Sequence, residues 1–166
     1  MVNAPAPHSP EARVWAALTR VPDPEIPVVN VVEMGIVRDV RVEGNRAVVT
    51  MTPTFSGCPA LHVIRDAVAD AVTREGLHAE VRTVLSPAWT TDWLTPEAKE
   101  KLETYGIAPP APTTEGDLLQ LLPSAPRCPR CGSFDTTTKN TFGPTLCKTI
   151  HVCNACREPF EAFKSI

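Results

Sequence analysis

The first regular pattern of apolar positions is helical. Val14, Trp15, Leu18 and Val21 fall on one stripe behind Ser9-Pro10-Glu11, which reads as an N-cap, a first helical position and an acidic first turn. Pro22 ends that helix. Ile36, Val40 and Val42 then alternate with polar residues, Glu43-Gly44-Asn45-Arg46 reads as a turn, and Ala47 to Thr52 returns, which predicts a β-hairpin. Leu61, Ile64, Val68, Ala71 and Val72 recur at helical spacing up to Gly76, and Ala79 to Leu85 alternates again. A strand, a helix and a strand in succession predict a parallel pairing. Thr95-Pro96-Glu97 opens a last helix, with Ala98, Leu102 and Tyr105 in line and Gly106 as its stop. The expected fold is therefore α+β: a small mixed β-sheet with helices packed on it, in the order α-β-β-α-β-α, followed by a C-terminal segment with its own organisation.

Proline places the boundaries. Eleven of the eighteen prolines gather in the first ten residues, in Pro22 to Pro27 and in Pro109 to Pro126. Residues 1–8 read as a disordered lead, and 109–126, rich in Pro, Ala, Thr and Ser, as a linker. Within the linker, Gly116 to Leu122 has the pattern of one or two turns of amphipathic helix, too short to stand alone. The expected domains are 9–108, the linker 109–126, and 127–166.

Charge and cysteine content narrow the function. A formal net charge of −3 over 166 residues argues against a general binder of nucleic acid. The start has neither a basic region nor an apolar core, so it does not read as a secretory signal, and no apolar run is long enough to span a bilayer. Six cysteines without a signal point to a reducing compartment, the cytoplasm, where thiols bind metal or do chemistry rather than pair as disulfides.

Four of the six lie in two Cys-x-x-Cys knuckles, Cys128/Cys131 and Cys153/Cys156. Such a set places four thiolates at the corners of a tetrahedron and suits a closed structural Zn2+ site. The 21 residues between Cys131 and Cys153 exceed the usual interval slightly and fit a longer hairpin, with Thr145 to Val152 as one strand and Phe160 to Phe163 as another. About forty residues bury too little surface to fold alone, so a metal must supply the free energy, ~10–16 kcal/mol for structural zinc peptides. Iron held in a rubredoxin-like way satisfies the same four ligands, and a redox disulfide at either knuckle is a third choice. Cys147 reads as a packed spare thiol. His151 is a surrogate ligand that four cysteines leave unneeded.

The remaining thiol, Cys58, stands in Thr52-Pro53-Thr54-Phe55-Ser56-Gly57-Cys58-Pro59, where a strand passes into a helix. Pro59 suits the first helical turn. A sulfur placed there meets the free N–H groups of the helix start, which favour the thiolate. The alternative is a small buried residue capping the helix. Pro22 to Pro27 forms a stiff loop carrying Asp23 and Glu25, readable either as a plain connector with solvated carboxylates or as an acidic wall. Trp89 and Trp93 follow the third strand, either covering the end of the core or serving as a lid over the Cys58 helix start. His62 and Asp66 follow Cys58 at helical spacing, a Cys–His pair that would suggest a thiol enzyme, but no oxyanion motif accompanies them.

Three features taken together, Asp23-Pro24-Glu25, Thr54-Phe55-Ser56-Gly57-Cys58-Pro59 and Ser86-Pro87-Ala88-Trp89-Thr90-Thr91-Asp92-Trp93, resemble the small α/β domain of the SufT-like iron–sulfur assembly family. With a four-Cys zinc ribbon attached, the chain from about residue 10 onward resembles the PaaD-like proteins of aerobic phenylacetate degradation. The resemblance implies an accessory factor needed by a multicomponent phenylacetyl-CoA ring-epoxidising oxygenase, acting in assembly or delivery of its iron or iron–sulfur centre. The implied partners are the di-iron hydroxylase and the iron–sulfur reductase subunits, with homodimerisation left open and neither nucleic acid nor membrane involved. It matches Cys58 to the family's reactive cysteine, a transient holder of iron or a cluster. It matches Asp23 and Glu25 to the acidic loop and Thr54 to the threonine of the Cys loop, with Trp89 shielding the thiol. The zinc ribbon becomes a docking knob, mildly basic with six Lys/Arg and three Asp/Glu over 127–166. A structural subunit of the oxygenase and a Cys-dependent thioester enzyme are the competing readings.

Overall fold

The computed structural model describes residues 9–110 and 125–165. The disordered lead over 1–8 and the short helix over 116–122 expected from the sequence lie outside the described residues. The chain divides into two compact units between Trp89 and Thr90. The segment 9–108 expected as one domain spans that division.

The first unit contains α1 (Pro10–Leu18), β1 (Val37–Glu43), β2 (Arg46–Met51), α2 (Leu61–Arg74) and β3 (His78–Thr83). The Ser9 hydroxyl accepts the Ala12 N–H at 3.2 Å and Pro10 starts α1, so the cap expected from the sequence forms. β1 and β2 pair antiparallel through the Glu43–Arg46 turn, and β2 and β3 pair parallel, giving the order β1-β2-β3. The central strand buries Ala47, Val48, Val49 and Met51, while α1 contributes Val14, Ala17 and Leu18 and α2 contributes Ile64, Val68, Ala71 and Val72. The β1–β2 register shifts between Val37 and Asp39, so Ile36 and Val37 are both buried where strict alternation predicts one.

The segment from α1 to β1 carries much of the core through Ile26, Val29, Val31, Met34 and Ile36. It is pinned by Asp23 N–H to Val29 O at 2.9 Å and Val31 N–H to Val21 O at 3.0 Å. Asn30 accepts the N–H groups of Val32 and Glu33, and the Glu33 carboxylate accepts the Asn30 N–H, a reciprocal cap over the next turn.

The second unit contains a 3-10 turn at Thr91–Trp93, α3 (Pro96–Tyr105), β4 (Ile107–Ala108), β5 (Thr136–Asn140), β6 (Lys148–Cys153) and β7 (Pro159–Phe163). Thr95 caps α3 by accepting the Ala98 N–H at 3.1 Å, and Gly106 stops it at φ 98°, a left-handed conformation that glycine adopts freely. The four strands form a sheet in the order β4-β7-β6-β5. The expected hairpin is present as β6 and β7, antiparallel, with β5 and the two-residue β4 added at its edges. Beneath it Ala108, Cys128, Cys153, Phe160 and Ala162 form a small core. Among the described residues no helix is long and apolar enough to cross a membrane.

Candidate functional site

In the ribbon, Gly132 N–H bonds Cys128 O at 2.9 Å and Cys128 N–H bonds Ser133 O at 2.9 Å; Arg157 N–H bonds Cys153 O at 2.9 Å and Cys153 N–H bonds Glu158 O at 3.0 Å. The two knuckles thus repeat one turn, each with a positive-φ residue after its second cysteine, Gly132 at 76° and Arg157 at 66°. All four sulfurs lie within 4.8 Å of one another. The Cys128–Cys156 and Cys131–Cys153 separations are 3.8 and 3.5 Å, far beyond a disulfide bond. A metal bonded to four sulfurs at about 2.3 Å sets tetrahedral edges of ~3.8 Å, so the residues fit such an ion.

The thiols push against one another. The N–H of Cys156 pulls the Cys153 thiol down, and with Cys131 and the Ala155 N–H it reaches about 7 against the opposing effect of burial. The Glu158 N–H pulls Cys156 down as well, yet burial and the sulfurs of Cys153, Cys131 and Cys128 push it up to about 12. Cys131, though lowered by the Ser133 N–H, ends above its usual range. Four ionised sulfurs at this spacing need a cation among them. His151 is not one of this group. Its ring stacks on Phe160 at 5.5 Å, its nitrogens meet the Thr138 and Thr149 hydroxyls at 3.3 and 2.8 Å, and burial lowers its pKa. Cys147 is half-buried, 3.2 Å from the Thr145 hydroxyl.

In the first unit, Cys58 lies in the loop that leaves the C-terminal end of β2, and the loop leaving β3 starts from the same side because the two strands are parallel. The thiol is half-buried. Here the structure corrects the expected activation. α2 begins at Leu61 with Ala60 at the N-cap, two residues later than a helix opening on Pro59. Burial pushes the Cys58 thiol up; the Ala60 N–H opposes, Glu25 and Asp23 push further, and the Leu61 N–H opposes again, with the balance above the ordinary thiol value. The convergent N–H groups are present, but burial and two carboxylates outweigh them.

Asp23 and Glu25 are thus close enough to act on Cys58. Asp23 is not solvated as a plain connector would have it: it is 7% exposed, and its Oδ1 accepts the N–H groups of Glu25 and Ile26 at 2.8 and 2.9 Å. Thr54 is half-buried in the Cys58 loop. Trp89 is buried, with its indole N–H donated to Met34 O at 2.9 Å. His62 and Asp66 are exposed on α2, and among the described residues no hydrogen bond joins Cys58 to His62. Sequence reasoning passed over Thr52, buried at the end of β2 with a hydroxyl that has no hydrogen-bond partner among the described residues.

Comparison with known proteins covers both units. A family described as an iron–sulfur cluster assembly protein matches residues 11–85, and one described as the PaaD zinc beta ribbon domain matches 114–164. The chain is 47% identical over 155 residues, 92% of each chain, to the D component of the "Putative 1,2-phenylacetyl-CoA epoxidase" of Escherichia coli K12. It is 38% identical over 89 residues, 52% of this chain and 86% of the relative, to the Fe-S protein maturation auxiliary factor YitW of Bacillus subtilis. Among solved structures, a DUF59 domain of unknown function from Bacillus anthracis superposes with a TM-score of 0.53 at 35% identity, over 56% of this chain and 91% of that one. An iron–sulfur assembly domain joined to a four-cysteine ribbon, at that identity over nearly the whole length, places the chain in the PaaD family of phenylacetyl-CoA epoxidase components.

Proposed function

We propose that this protein is an accessory factor of aerobic phenylacetate degradation that helps to assemble or deliver an iron or iron–sulfur centre of the phenylacetyl-CoA epoxidase. Cys58 is the cargo-holding thiol, Asp23 and Glu25 are the charges that favour a cation beside it, and Thr54 and Trp89 complete its surroundings. Zinc in the ribbon, on Cys128, Cys131, Cys153 and Cys156, folds a docking module for the hydroxylase or the reductase subunits.

The observation that carries this reading is the pair of carboxylates acting on a half-buried thiol. Negative charge beside a sulfur opposes a bare thiolate and favours a thiolate bonded to a cation. Cys58 therefore keeps its proton until iron arrives, and then exchanges S–H for S–Fe with release of one proton to solvent. Among the described residues, only the ribbon cysteines form a group of three or more His, Cys, Asp or Glu side chains able to hold one ion. Cys58 with its neighbours holds cargo loosely, which suits a carrier better than a resident redox centre. The same raised thiol pKa weighs against a nucleophilic thioester enzyme.

The test is the iron content of the oxygenase purified from cells that carry Cys58→Ala in place of the wild-type chain. The reading expects oxygenase subunits at normal abundance but short of iron; full iron loading in that background overturns it.

A further inference from the structure

The structure assigns to Asn154 and Asp135 the positioning of the two cysteine knuckles against each other. Asn154 is the second residue of the second knuckle, where the first knuckle has Pro129. Its Nδ2 donates to Asp135 Oδ1 at 2.7 Å and to the Thr137 hydroxyl at 3.1 Å, and the Thr137 hydroxyl meets its Oδ1 at 3.2 Å. The Asn154 N–H bonds the Asp135 carbonyl at 2.8 Å, and the Asp135 N–H bonds the Ser133 hydroxyl at 3.1 Å. Asp135 and Thr137 stand on the chain that leaves the first knuckle, so these bonds run from one knuckle to the other. The sulfurs they bracket, Cys131 and Cys153, are 3.5 Å apart.

Each knuckle is closed on itself through Cys128–Gly132 and Cys153–Arg157 backbone bonds, and the β5–β6 ladder, in which Thr136 pairs with Cys153, joins the two alongside the Asn154 side chain. A metal leaves such a site by separation of the knuckles, and the amide–carboxylate clamp resists that separation. A carboxylate acceptor makes the Asn154–Asp135 bond stronger than a neutral one, and outer groups of this kind govern how firmly ligands stay in place. This inference rests on the reading that the four cysteines hold a metal.

The test is the rate at which the chelator 4-(2-pyridylazo)resorcinol removes zinc from the full-length zinc-loaded chain, together with the absorption spectrum of the cobalt-substituted chain. Asn154→Ala and Asp135→Ala are each expected to release zinc about tenfold faster, and the double substitution no faster than either alone. Asp135→Asn, which keeps a neutral carbonyl acceptor, is expected to fall between wild type and Asp135→Ala. The tetrahedral cobalt spectrum should be unchanged throughout. Thr137→Val, which removes one arm of the clamp and leaves the Asp135 bond, is expected to fall between wild type and Asn154→Ala, and it serves if Asn154→Ala does not fold. Release from Asn154→Ala and Thr137→Val at the wild-type rate, or additive effects of the two alanine substitutions, overturns the positioning role. A wild-type chain that binds neither zinc nor cobalt overturns the metal reading itself.

Discussion

Glu25 acts on Cys58 from the loop that precedes the first strand, and its charge adds to burial in raising the thiol's pKa. Burial contributes most, and Asp23, a buried member of the Pro22–Pro27 loop, adds to it. A raised folded-state pKa means the fold favours the protonated thiol. That contribution to stability is present below the ordinary thiol pKa and is lost as pH rises through the folded value. Alkylation of Cys58 by iodoacetamide, followed residue by residue with mass spectrometry, is therefore expected to be slower at neutral pH than for a free thiol and to rise at alkaline pH. Glu25→Gln should shift that profile toward lower pH. An unchanged profile in Glu25→Gln would remove the carboxylate from the account.

Trp89 ties the end of the first unit to its core through Met34 O. Trp89→Phe keeps an aromatic ring but leaves a buried carbonyl without its donor, which costs about 1–3 kcal/mol. Urea unfolding should show the loss. A midpoint equal to wild type would mean that the carbonyl finds another partner.

The two knuckles make the same demand on the residue after their second cysteine, a left-handed backbone, and meet it with different residues. Gly132 has φ 76°, and a Cβ there would meet Arg127 Nη2 at 2.9 Å; Arg157 holds φ 66° with a side chain. Gly132→Ala should lower the stability of the metal-loaded ribbon by about 1–2 kcal/mol, whereas Arg157→Gly should be neutral or stabilising by up to about 1 kcal/mol. Thermal midpoints of both variants test this, and shifts in the same direction would contradict it.

Lys148 is nearly buried between β6 and β7 and bonds Glu161 at 2.6 Å. Glu161→Ala strands a buried ammonium and should cost about 1–3 kcal/mol, less than a fully buried pair because Glu161 keeps some exposure. Replacing both residues, as Lys148→Met with Glu161→Leu, should recover most of that loss. Chemical denaturation of the single and double variants measures it; a double variant weaker than the single would refute the argument.

Much of this architecture is readable from residue order. Ser9 and Thr95 announce two helices, each with a proline behind it, and Gly106 ends one of them where expected. The parallel pairing of β2 with β3 follows from strand, helix and strand in succession. β5 escaped because Thr-Thr-Thr-Lys-Asn has no alternation; it is a largely exposed edge strand, held by its neighbour rather than by a buried face. β4 is two residues long and exists through its pairing with β7. The four ribbon cysteines were legible because metal ligation fixes spacing in sequence as well as in space. The state of Cys58 was not, because a helix start argues for the thiolate from neighbouring residues alone. The groups that reverse the balance, Asp23 and Glu25, come from a loop more than thirty residues earlier.

The most direct test of the cargo-holding thiol is metal analysis of the protein purified without oxygen, wild type beside Cys58→Ala. The account predicts zinc in both and iron with the wild-type chain alone. Equal iron in the two proteins, or none in either, would contradict it.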